Sequence, residues 1–232
     1  MKIKILNIAI MLITLVGTLI LLSALPDLVP VHFNGAGVAD RWGSKYELLI
    51  MSGIMVVMLA IWFITDATHG KKMLESPDEK KRAEAINNIK VMNITFTVIS
   101  VMFMLLNFAT IYMSYSQLED GTAVEIDIFK IVCAIMGISF VIMGNIMPKT
   151  KNNPFLGFRF PWTRYNDVTW QKCNRMGGIV MVISGILITL ESLIFAGTVS
   201  MIIMMITLGI ALVFLLIYAY LVYHDEVKKN ES

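Results

Sequence analysis

Residues 199–223 form an apolar segment that reads VSMIIMMITLGIALVFLLIYAYLVY, without a charged side chain or a proline. A helix needs roughly 20 predominantly apolar residues to cross the hydrocarbon core of a bilayer. The whole chain of 232 residues has the same character, with 57% hydrophobic residues, 16% charged residues and a mean hydropathy of +0.73. This composition excludes an ordinary soluble domain and predicts an integral membrane protein.

Five further apolar segments precede this one, at residues 5–25, 48–65, 91–115, 129–147 and 177–195. The prolines all fall outside the six segments, at Pro26, Pro30, Pro77, Pro148, Pro154 and Pro161. This is expected of transmembrane helices, because lipid offers no hydrogen-bond partners and the backbone groups must bond within the helix. We therefore predict an all-α integral membrane protein with six transmembrane helices. The first segment is too long for a signal peptide and lacks a small-residue cleavage site, which predicts an uncleaved anchor.

The basic residues are distributed unequally between the segments that join the predicted helices. Sixteen of the 19 Lys and Arg residues lie at the N-terminus, in residues 66–90 and 148–176, and in the C-terminal tail. On the other side lie Arg41, Lys45 and Lys130. Because Lys and Arg accumulate in cytoplasmic segments, both termini are predicted to be cytoplasmic. The net charge of +2 does not indicate direct nucleic-acid binding.

Local patterns predict helix ends and helix packing. Residues 76–79 read Ser-Pro-Asp-Glu, which is a capping box with proline at the first helical position. This motif predicts a polar helix from Pro77 to about residue 90 that leads into the third span. Two pairs of glycines lie seven residues apart in the fourth and fifth spans, which indicates close helix packing: Gly137 with Gly144, and Gly178 with Gly185. The eighteen methionines are interpreted as core filler, and Cys133 and Cys173 as reduced thiols without a metal cluster.

The segment between the first two spans, residues 26–47, carries the chemistry predicted on the outer side. Its prolines and glycines predict an ordered, turn-rich loop rather than a helix. His32, Asn34, Asp40 and Lys45 could converge on a ligand; alternatively, they hydrogen-bond the loop to itself. A lone histidine with scattered aspartates is a weak ligand set for zinc.

The segment from residue 144 to residue 175 is predicted to be cytoplasmic and alternates aromatic with basic residues. Such a segment can lie along an anionic inner leaflet. Asn166 or Asp167 is expected to cap a short amphipathic helix that presents Trp170 to the interface before the fifth span. The two interpretations are a structural loop that follows the membrane and a docking surface for a cytoplasmic protein.

Both segments resemble known families. The outer stretch, P-x-x-x-P-x-H-F-N-x-x-G-x-x-D-x-x-x-S-K, resembles the DUF1648 domain of unknown function. The inner stretch, G-N-x-M-P-K followed by N-x-x-x-G-F-R-x-P-W-T and a later tryptophan, is similar to the SdpI/YfhL family signature. This chain departs from the family at Phe160, where threonine is commoner, and at Cys173 and Asn174, where Thr-His is frequent, so no role for that histidine is transferred.

The resemblance implies a multi-pass protein of the bacterial plasma membrane that confers immunity to a secreted peptide toxin and captures a cytoplasmic autorepressor. Its motif residues on the outer side are Pro30, His32, Asn34, Gly37, Asp40 and Lys45. Those of the cytoplasmic motif are Asn145, Pro148, Asn153, Gly157, Arg159, Pro161, Trp162 and Trp170. The implied organisation is a DUF1648-like unit (1–70), a capped helix with the third span and an outer acidic loop (71–127), an SdpI-like unit (128–223) and a cytoplasmic tail (224–232).

Three classes of function can be compared with the sequence. The leading hypothesis is a binding protein without catalysis, in which the outer loop recognises the toxin. The alternative is a small transporter or exporter of the toxin or another amphiphile, because Glu191 is the only carboxylate well inside a predicted span and such residues often mark transport pathways. An enzyme is disfavoured, since the sequence has no G-x-S-x-G, no H-E-x-x-H and no phosphate-binding glycine loop. No cofactor is expected.

Overall fold

Six long helices make up the computed structural model, which describes residues 2–70, 74–119, 127–152 and 156–231, without the side chains of residues 69, 70 and 119. They are α1 (Lys2–Ser23), α2 (Ile50–Thr65), α3 (Glu79–Glu119), α4 (Ile128–Ile146), α5 (Asp167–Ile194) and α6 (Gly197–Glu231). A 3₁₀ turn (Lys45–Leu49) precedes α2 and a π turn (Asp66–Gly70) follows it. All six segments are long and apolar enough to cross a membrane. The predicted helical membrane fold is confirmed.

Three helices extend well beyond their apolar segments, namely α3, α6 and α5, which begins at Asp167. The predicted polar helix is continuous with the third span in α3, and the C-terminal tail prolongs α6 to Glu231. The predicted start of the polar helix at Pro77 is wrong: α3 begins at Glu79, and the Asp78 carboxylate accepts hydrogen bonds from the backbone N–H groups of Lys80 (2.9 Å) and Lys81 (3.3 Å). A carboxylate is the better acceptor at the positive end of a helix, so Asp78 replaces Ser76 as the cap.

A β-hairpin lies where the sequence predicted only turns. Strand β1 (Leu28–Phe33) pairs antiparallel with β2 (Ala39–Ser44), with irregular register on both sides of His32. Val29 and Pro30 are buried, and Val29 packs with Leu22, Leu25, Leu48 and Ile111 in one apolar cluster. The hairpin is therefore anchored in the bundle between α1 and α3. We call this end of the bundle the hairpin face, and the opposite end, with both chain termini, the terminus face.

Close contacts between backbones join α4 to α5. Gly137 faces Gly185 and Gly144 faces Gly178, with each glycine lying against the backbone carbonyl of its partner. Without side chains at these positions, the two antiparallel helices approach each other closely. The close packing that the glycine spacing indicated is present.

Polar side chains join the first three helices. Thr18, Ser52 and Asn107 are buried and form a closed triad: the Asn107 amide donates to Thr18 Oγ1 (2.8 Å), Ser52 Oγ donates to Asn107 Oδ1 (3.2 Å), and the two hydroxyls lie 3.1 Å apart. In lipid such bonds hold helices together because the alternative is an unsatisfied polar group. This triad fixes α1 and α2 against α3 below the hairpin.

Candidate functional site

Two motif residues shape the tip of the hairpin. Asn34 Oδ1 accepts hydrogen bonds from the backbone N–H groups of Ala36 (2.9 Å) and Val38 (3.1 Å). Gly37 has a φ of 74°, in the left-handed region that glycine adopts without strain. Asn34 and Gly37 therefore specify the turn between the two strands.

A third motif residue closes the base of the hairpin. Lys45 Nζ donates to the carbonyl oxygen of Leu25 (3.0 Å) and lies 3.2 Å from Asp27 Oδ1, while its side chain is only 15% exposed. The Lys45 N–H also donates to the Asp27 carbonyl (3.0 Å). Lys45 thus ties the end of β2 to the end of α1.

The remaining polar motif residues, His32 and Asp40, face solvent together. Their side chains are 64% and 42% exposed, and His32 Nδ1 lies 2.5 Å from Asp40 Oδ1. The four polar residues, for which convergence on a ligand was one of two predictions, therefore have two different structural roles. Asn34 and Lys45 hydrogen-bond the loop to itself, at its tip and its base, and only His32 and Asp40 form an accessible pair.

Side chains of α3 attach the hairpin to the bundle. Gln117 Oε1 accepts from the Ala39 N–H (2.7 Å), Gln117 Nε2 donates to the Gly37 carbonyl (2.6 Å), and Ser114 Oγ donates to the Pro30 carbonyl (2.7 Å). Gln117 and Ser114 were not predicted from the sequence. The sequence does show two polar residues one turn apart at the end of an apolar segment. Polar side chains at such positions usually face the protein interior rather than lipid.

The tip of the hairpin also contacts the turn between α5 and α6. The Thr198 N–H donates to the Gly35 carbonyl (3.1 Å), and a side chain at Gly35 would collide with Thr198. Beside this contact, Asp127 caps α4 and its Oδ2 accepts from the Gly197 N–H (2.5 Å). The hairpin therefore links the N-terminal helices to the C-terminal ones.

The motif residues between Asn145 and Trp170 lie on the terminus face, and the loop folds around Trp170. Trp170 is 1% exposed and its indole Nε1 donates to the Thr150 carbonyl (2.9 Å). The expectation that Trp170 faces the interface from a short helix is therefore wrong. Asn166 does cap this helix, in a capping box with Thr169, but the helix is α5 itself and continues into the fifth span.

Gly157 and Asn174 bring the loop onto α5. Asn174 is 1% exposed; its Oδ1 accepts from the Phe158 N–H (2.7 Å) and its Nδ2 donates to the Trp170 carbonyl (3.0 Å). Gly157 has a φ of 96° and lies against Asn174 and the Trp170 ring, where a Cβ has no room. Asn174 is a buried structural bridge between the loop and α5.

Further hydrogen bonds hold the loop that precedes α5 in place. Asn87 Nδ2 donates to the Lys149 carbonyl (2.6 Å), and Asn88 Oδ1 accepts from the Lys151 N–H (2.9 Å), so the polar extension of α3 holds the start of the loop. Thr163 is fully buried and its Oγ1 donates to the carbonyls of Phe158 (2.9 Å) and Phe160 (3.0 Å). These residues were not predicted from the sequence, although the asparagine pair in the polar end of a helix was a visible signal.

The other residues of this motif differ in their contacts and in their exposure. Pro148 packs on Gly178, the exposed Asn145 donates to the carbonyl of Val141 (2.8 Å), and Trp162 lies edge-on against Tyr220, with ring centroids 5.4 Å apart. Pro161 and Arg159 are exposed. Asn153 lies outside the described residues.

Ion pairs join α5 to α6 on the terminus face. Lys172 Nζ lies 2.9 Å from Glu226 Oε1, and Lys229 Nζ lies 3.2 Å from the same oxygen. Glu226 follows the apolar segment 199–223, and the hydrogen bond from Lys172 lowers the pKa of its carboxyl group. The pair therefore stays ionised at neutral pH and holds the end of α6 beside the motif.

Glu191 lies at the opposite end of α5, one turn below the hairpin face. It is 7% exposed; Oε2 accepts from Ser200 Oγ (3.0 Å), whereas Oε1 is buried without a hydrogen-bond partner among the described residues. Within the part of the chain that the structure describes, no three His, Cys, Asp or Glu side chains form a metal-binding group.

Comparison with known proteins gives a consistent assignment. The model of DUF1648, a domain of unknown function, matches residues 9–56, and the model of the SdpI/YfhL protein family matches residues 149–219. The chain aligns over the full length of both proteins with the Immunity protein SdpI of Bacillus subtilis, at 24% identity. An uncharacterized protein of Archaeoglobus fulgidus is 45% identical over 42 residues, which are 18% of this chain and 23% of that one. No solved structure matches significantly. The two family matches, in this order, and the full-length alignment support an SdpI-type protein, and the six long apolar helices support a membrane protein.

Proposed function

We propose that this protein is a membrane immunity protein that binds a secreted hydrophobic peptide toxin at its hairpin face. The observation that carries this proposal is the exposed His32–Asp40 pair on a hairpin whose other polar motif residues are used for folding. A rigid turn and a clamped base hold this pair in place before any ligand arrives, which lowers the entropic cost of binding. The full-length similarity to an immunity protein supports the same function.

Apolar surface beside the hairpin suits a hydrophobic peptide. Leu28, Trp42 and Tyr46 are 60%, 48% and 63% exposed. A cavity of about 270 Å³ between α1 and α3 is lined by Leu21, Ala24, Leu25, Phe108, Ile111, Tyr112 and Tyr115. Sites for apolar ligands typically combine such lining with a few fixed polar groups, here His32 and Asp40.

The proposed orientation places the hairpin face outside a bacterial plasma membrane. Among the described residues, the terminus face carries fourteen Lys and Arg residues and the hairpin face carries three, and this excess favours the cytoplasmic side for the terminus face. A secreted toxin therefore meets the hairpin first. On the cytoplasmic side, Arg159, Arg164 and Arg175 are exposed around the rigid loop, and we place the docking of an autorepressor protein on this surface.

Asp40→Asn is expected to abolish protection against the toxin, because the amide removes the charge that the exposed pair presents. The measurement is survival of a toxin-sensitive bacterium that expresses the variant at the wild-type membrane level, across a series of toxin concentrations. His32→Ala is expected to have the same effect.

Asp27→Asn is the matched control for Asp40→Asn. It makes the same chemical change on the same loop, at a side chain that is 97% exposed, and Lys45 retains its bond to the Leu25 carbonyl. Protection that persists in Asp40→Asn and His32→Ala would remove the exposed pair from the mechanism. Equal loss in Asp27→Asn would show a general effect of charge on the loop.

The buried Glu191 supports a second candidate, proton-coupled export of the toxin or another amphiphile. A carboxyl group inside the bundle, with one oxygen that has no hydrogen-bond partner among the described residues, is the kind of group that carries protons in transporters. On this mechanism, Glu191→Gln abolishes protection and an uncoupler that collapses the proton gradient has the same effect on the wild type.

Binding immunity predicts the opposite result, namely protection that is insensitive to the uncoupler. Glu79→Gln provides the control, since its side chain is 93% exposed at the start of α3 and the chemical change is identical. Survival assays with and without the uncoupler, at matched expression, distinguish the two mechanisms.

A further inference from the structure

Two apolar cavities follow each other along the contact between α3 and α4. The first, of about 180 Å³, lies towards the terminus face, and its α3 wall consists of Val91 and Thr95. The second, of about 220 Å³, lies deeper in the membrane, and its α3 wall includes Val98, Met102 and Leu105. Side chains of α4 line both cavities on the opposite side. Together the cavities form a groove between the two helices, which we call the α3–α4 groove.

The α3 wall of this groove is one continuous stripe on the helix surface. Its members recur at alternating intervals of three and four residues, which places them on one face of α3: Asn88, Val91, Thr95, Val98, Met102 and Leu105. At about 1.5 Å per residue, the helix rises about 21 Å from Val91 to Leu105. One leaflet contributes about 15 Å of hydrocarbon, which is half of the bilayer core. The groove is therefore long enough for one acyl chain.

The groove opens to the lipid rather than into the bundle. Leu105 on one wall, and Ile138 and Ile142 on the other, are 45%, 52% and 43% exposed. A void between packed helices loses dispersion contacts that a chain of matching shape restores. Hydrocarbon from the surrounding leaflet can enter from the side, without any movement of α3 or α4.

A buried amide marks the end of the stripe at the terminus face. Asn88 is 8% exposed, and its Oδ1 accepts a hydrogen bond from the Lys151 N–H (2.9 Å). Its Nδ2 has no hydrogen-bond partner among the described residues. A buried donor without an acceptor is costly. The head of the groove therefore offers a donor that an oxygen-rich ligand would satisfy.

Lysine side chains give this end of the groove a positive charge. Lys90 and Lys149 are exposed, and Lys149 is held beside α3 because its carbonyl accepts from Asn87 Nδ2 (2.6 Å). The only acidic residue among residues 80–118 is Glu84. Lysine ammonium groups bind phosphate as point charges, so the charge at the head of the groove is complementary to a phosphate.

We propose that the α3–α4 groove binds one anionic phospholipid from the leaflet on the side of the terminus face. One acyl chain lies along the stripe, and the phosphate accepts from Asn88 Nδ2 between Lys90 and Lys149. Basic pockets between transmembrane helices bind anionic head groups in this way. The lipid joins the N-terminal three helices to the C-terminal three. The site lies away from His32 and Asp40, and lipid binding is measurable without any toxin.

The test is native mass spectrometry of purified, delipidated protein in detergent. The protein is mixed with equal amounts of phosphatidylglycerol and phosphatidylcholine that carry the same acyl chains. The wild type is expected to retain one phosphatidylglycerol, with at least a tenfold preference over phosphatidylcholine. An excess of glycerophosphate, which has the phosphate but no acyl chain, is expected to leave the bound lipid in place.

Asn88→Asp tests the head of the groove. The variant keeps an oxygen for the Lys151 N–H and replaces the unpartnered amide with a second carboxylate oxygen, which repels a phosphate. It is expected to lower retention of phosphatidylglycerol at least fivefold, as is Lys90→Gln combined with Lys149→Gln. The matched controls, Asn230→Asp and Lys228→Gln, make the same changes at exposed positions in the last turns of α6, and both are expected to retain lipid as the wild type does.

Ile142→Trp tests the apolar part, because the larger side chain fills the groove from the α4 wall. It is expected to abolish lipid retention, and Leu105→Trp does the same from the α3 wall. Ile210→Trp is the matched control at a position of α6 that is 67% exposed. Thermal unfolding in detergent shows which variants keep the fold.

Three results would overturn the site. The first is a wild type that retains no lipid, or that retains the two lipids equally. The second is unchanged retention in Asn88→Asp and in folded variants that fill the groove. The third is a lipid-free dimer that Ile142→Trp dissociates, which would identify a second copy of the chain as the occupant.

Discussion

Gly185→Ala is expected to destabilise the protein by about 1–3 kcal/mol, the usual cost of overpacking a well-packed contact. A Cβ at this position would lie 2.5 Å from the carbonyl oxygen of Gly137 and 2.8 Å from the Val141 nitrogen. Both are backbone atoms, which cannot rotate away as a side chain can, so α4 and α5 must move apart. Thermal unfolding of the purified protein in detergent measures the loss. Gly178→Ala, which places a Cβ 2.6 Å from the Gly144 carbonyl, is expected to behave in the same way.

Gly209→Ala is the matched control. This glycine lies within α6, and a Cβ there would have no neighbour within 4 Å. Alanine is the better helix former, by up to about 1 kcal/mol, so this variant is expected to be as stable as the wild type or slightly more stable. Equal stability of Gly185→Ala and Gly209→Ala would show that α4 and α5 do not pack through their glycines.

The six spans were predictable because hydrophobicity along the chain reports directly on burial in lipid. Length and the exclusion of proline define a transmembrane helix without any knowledge of its neighbours. The hairpin was not predictable in this way. Its strands are short and include Pro30 and Gly43, and its stability depends on Ser114 and Gln117, which are more than seventy residues away in sequence.

The candidate site was likewise only partly predictable from the sequence. Motif similarity indicated candidate residues, but it did not distinguish residues that shape a loop from residues that are exposed to solvent. Asn34, Gly37 and Lys45 turned out to shape the hairpin, whereas His32 and Asp40 face solvent. On the other face, Trp170 was expected at the interface because amphipathic aromatic residues prefer it; the carbonyl of Thr150 instead gives its N–H a partner inside the protein.

Trp170→Ala is expected to be the most destabilising single change on the terminus face, at about 3–5 kcal/mol. The substitution removes the large, fully buried side chain of α5 on which the loop packs, and it leaves the Thr150 carbonyl without the indole N–H. Gly157 and Asn174, which pack on the same ring and helix turn, lose their support. We expect the loop to detach from α5, which limited proteolysis of membranes opened to expose the terminus face detects as new cleavage between residues 150 and 166.

Trp42→Ala separates this effect from the loss of a tryptophan as such. Trp42 lies on β2 and is 48% exposed, so its removal leaves no enclosed cavity and is expected to change stability by less than about 1 kcal/mol. Trp170→Phe gives an intermediate case, because it keeps most of the ring volume but loses the bond to Thr150. If Trp170→Ala unfolds at the temperature of Trp42→Ala, and its loop resists protease as the wild type does, then the buried tryptophan does not hold the motif, and the exposed arginines around the loop have no rigid platform for docking a partner.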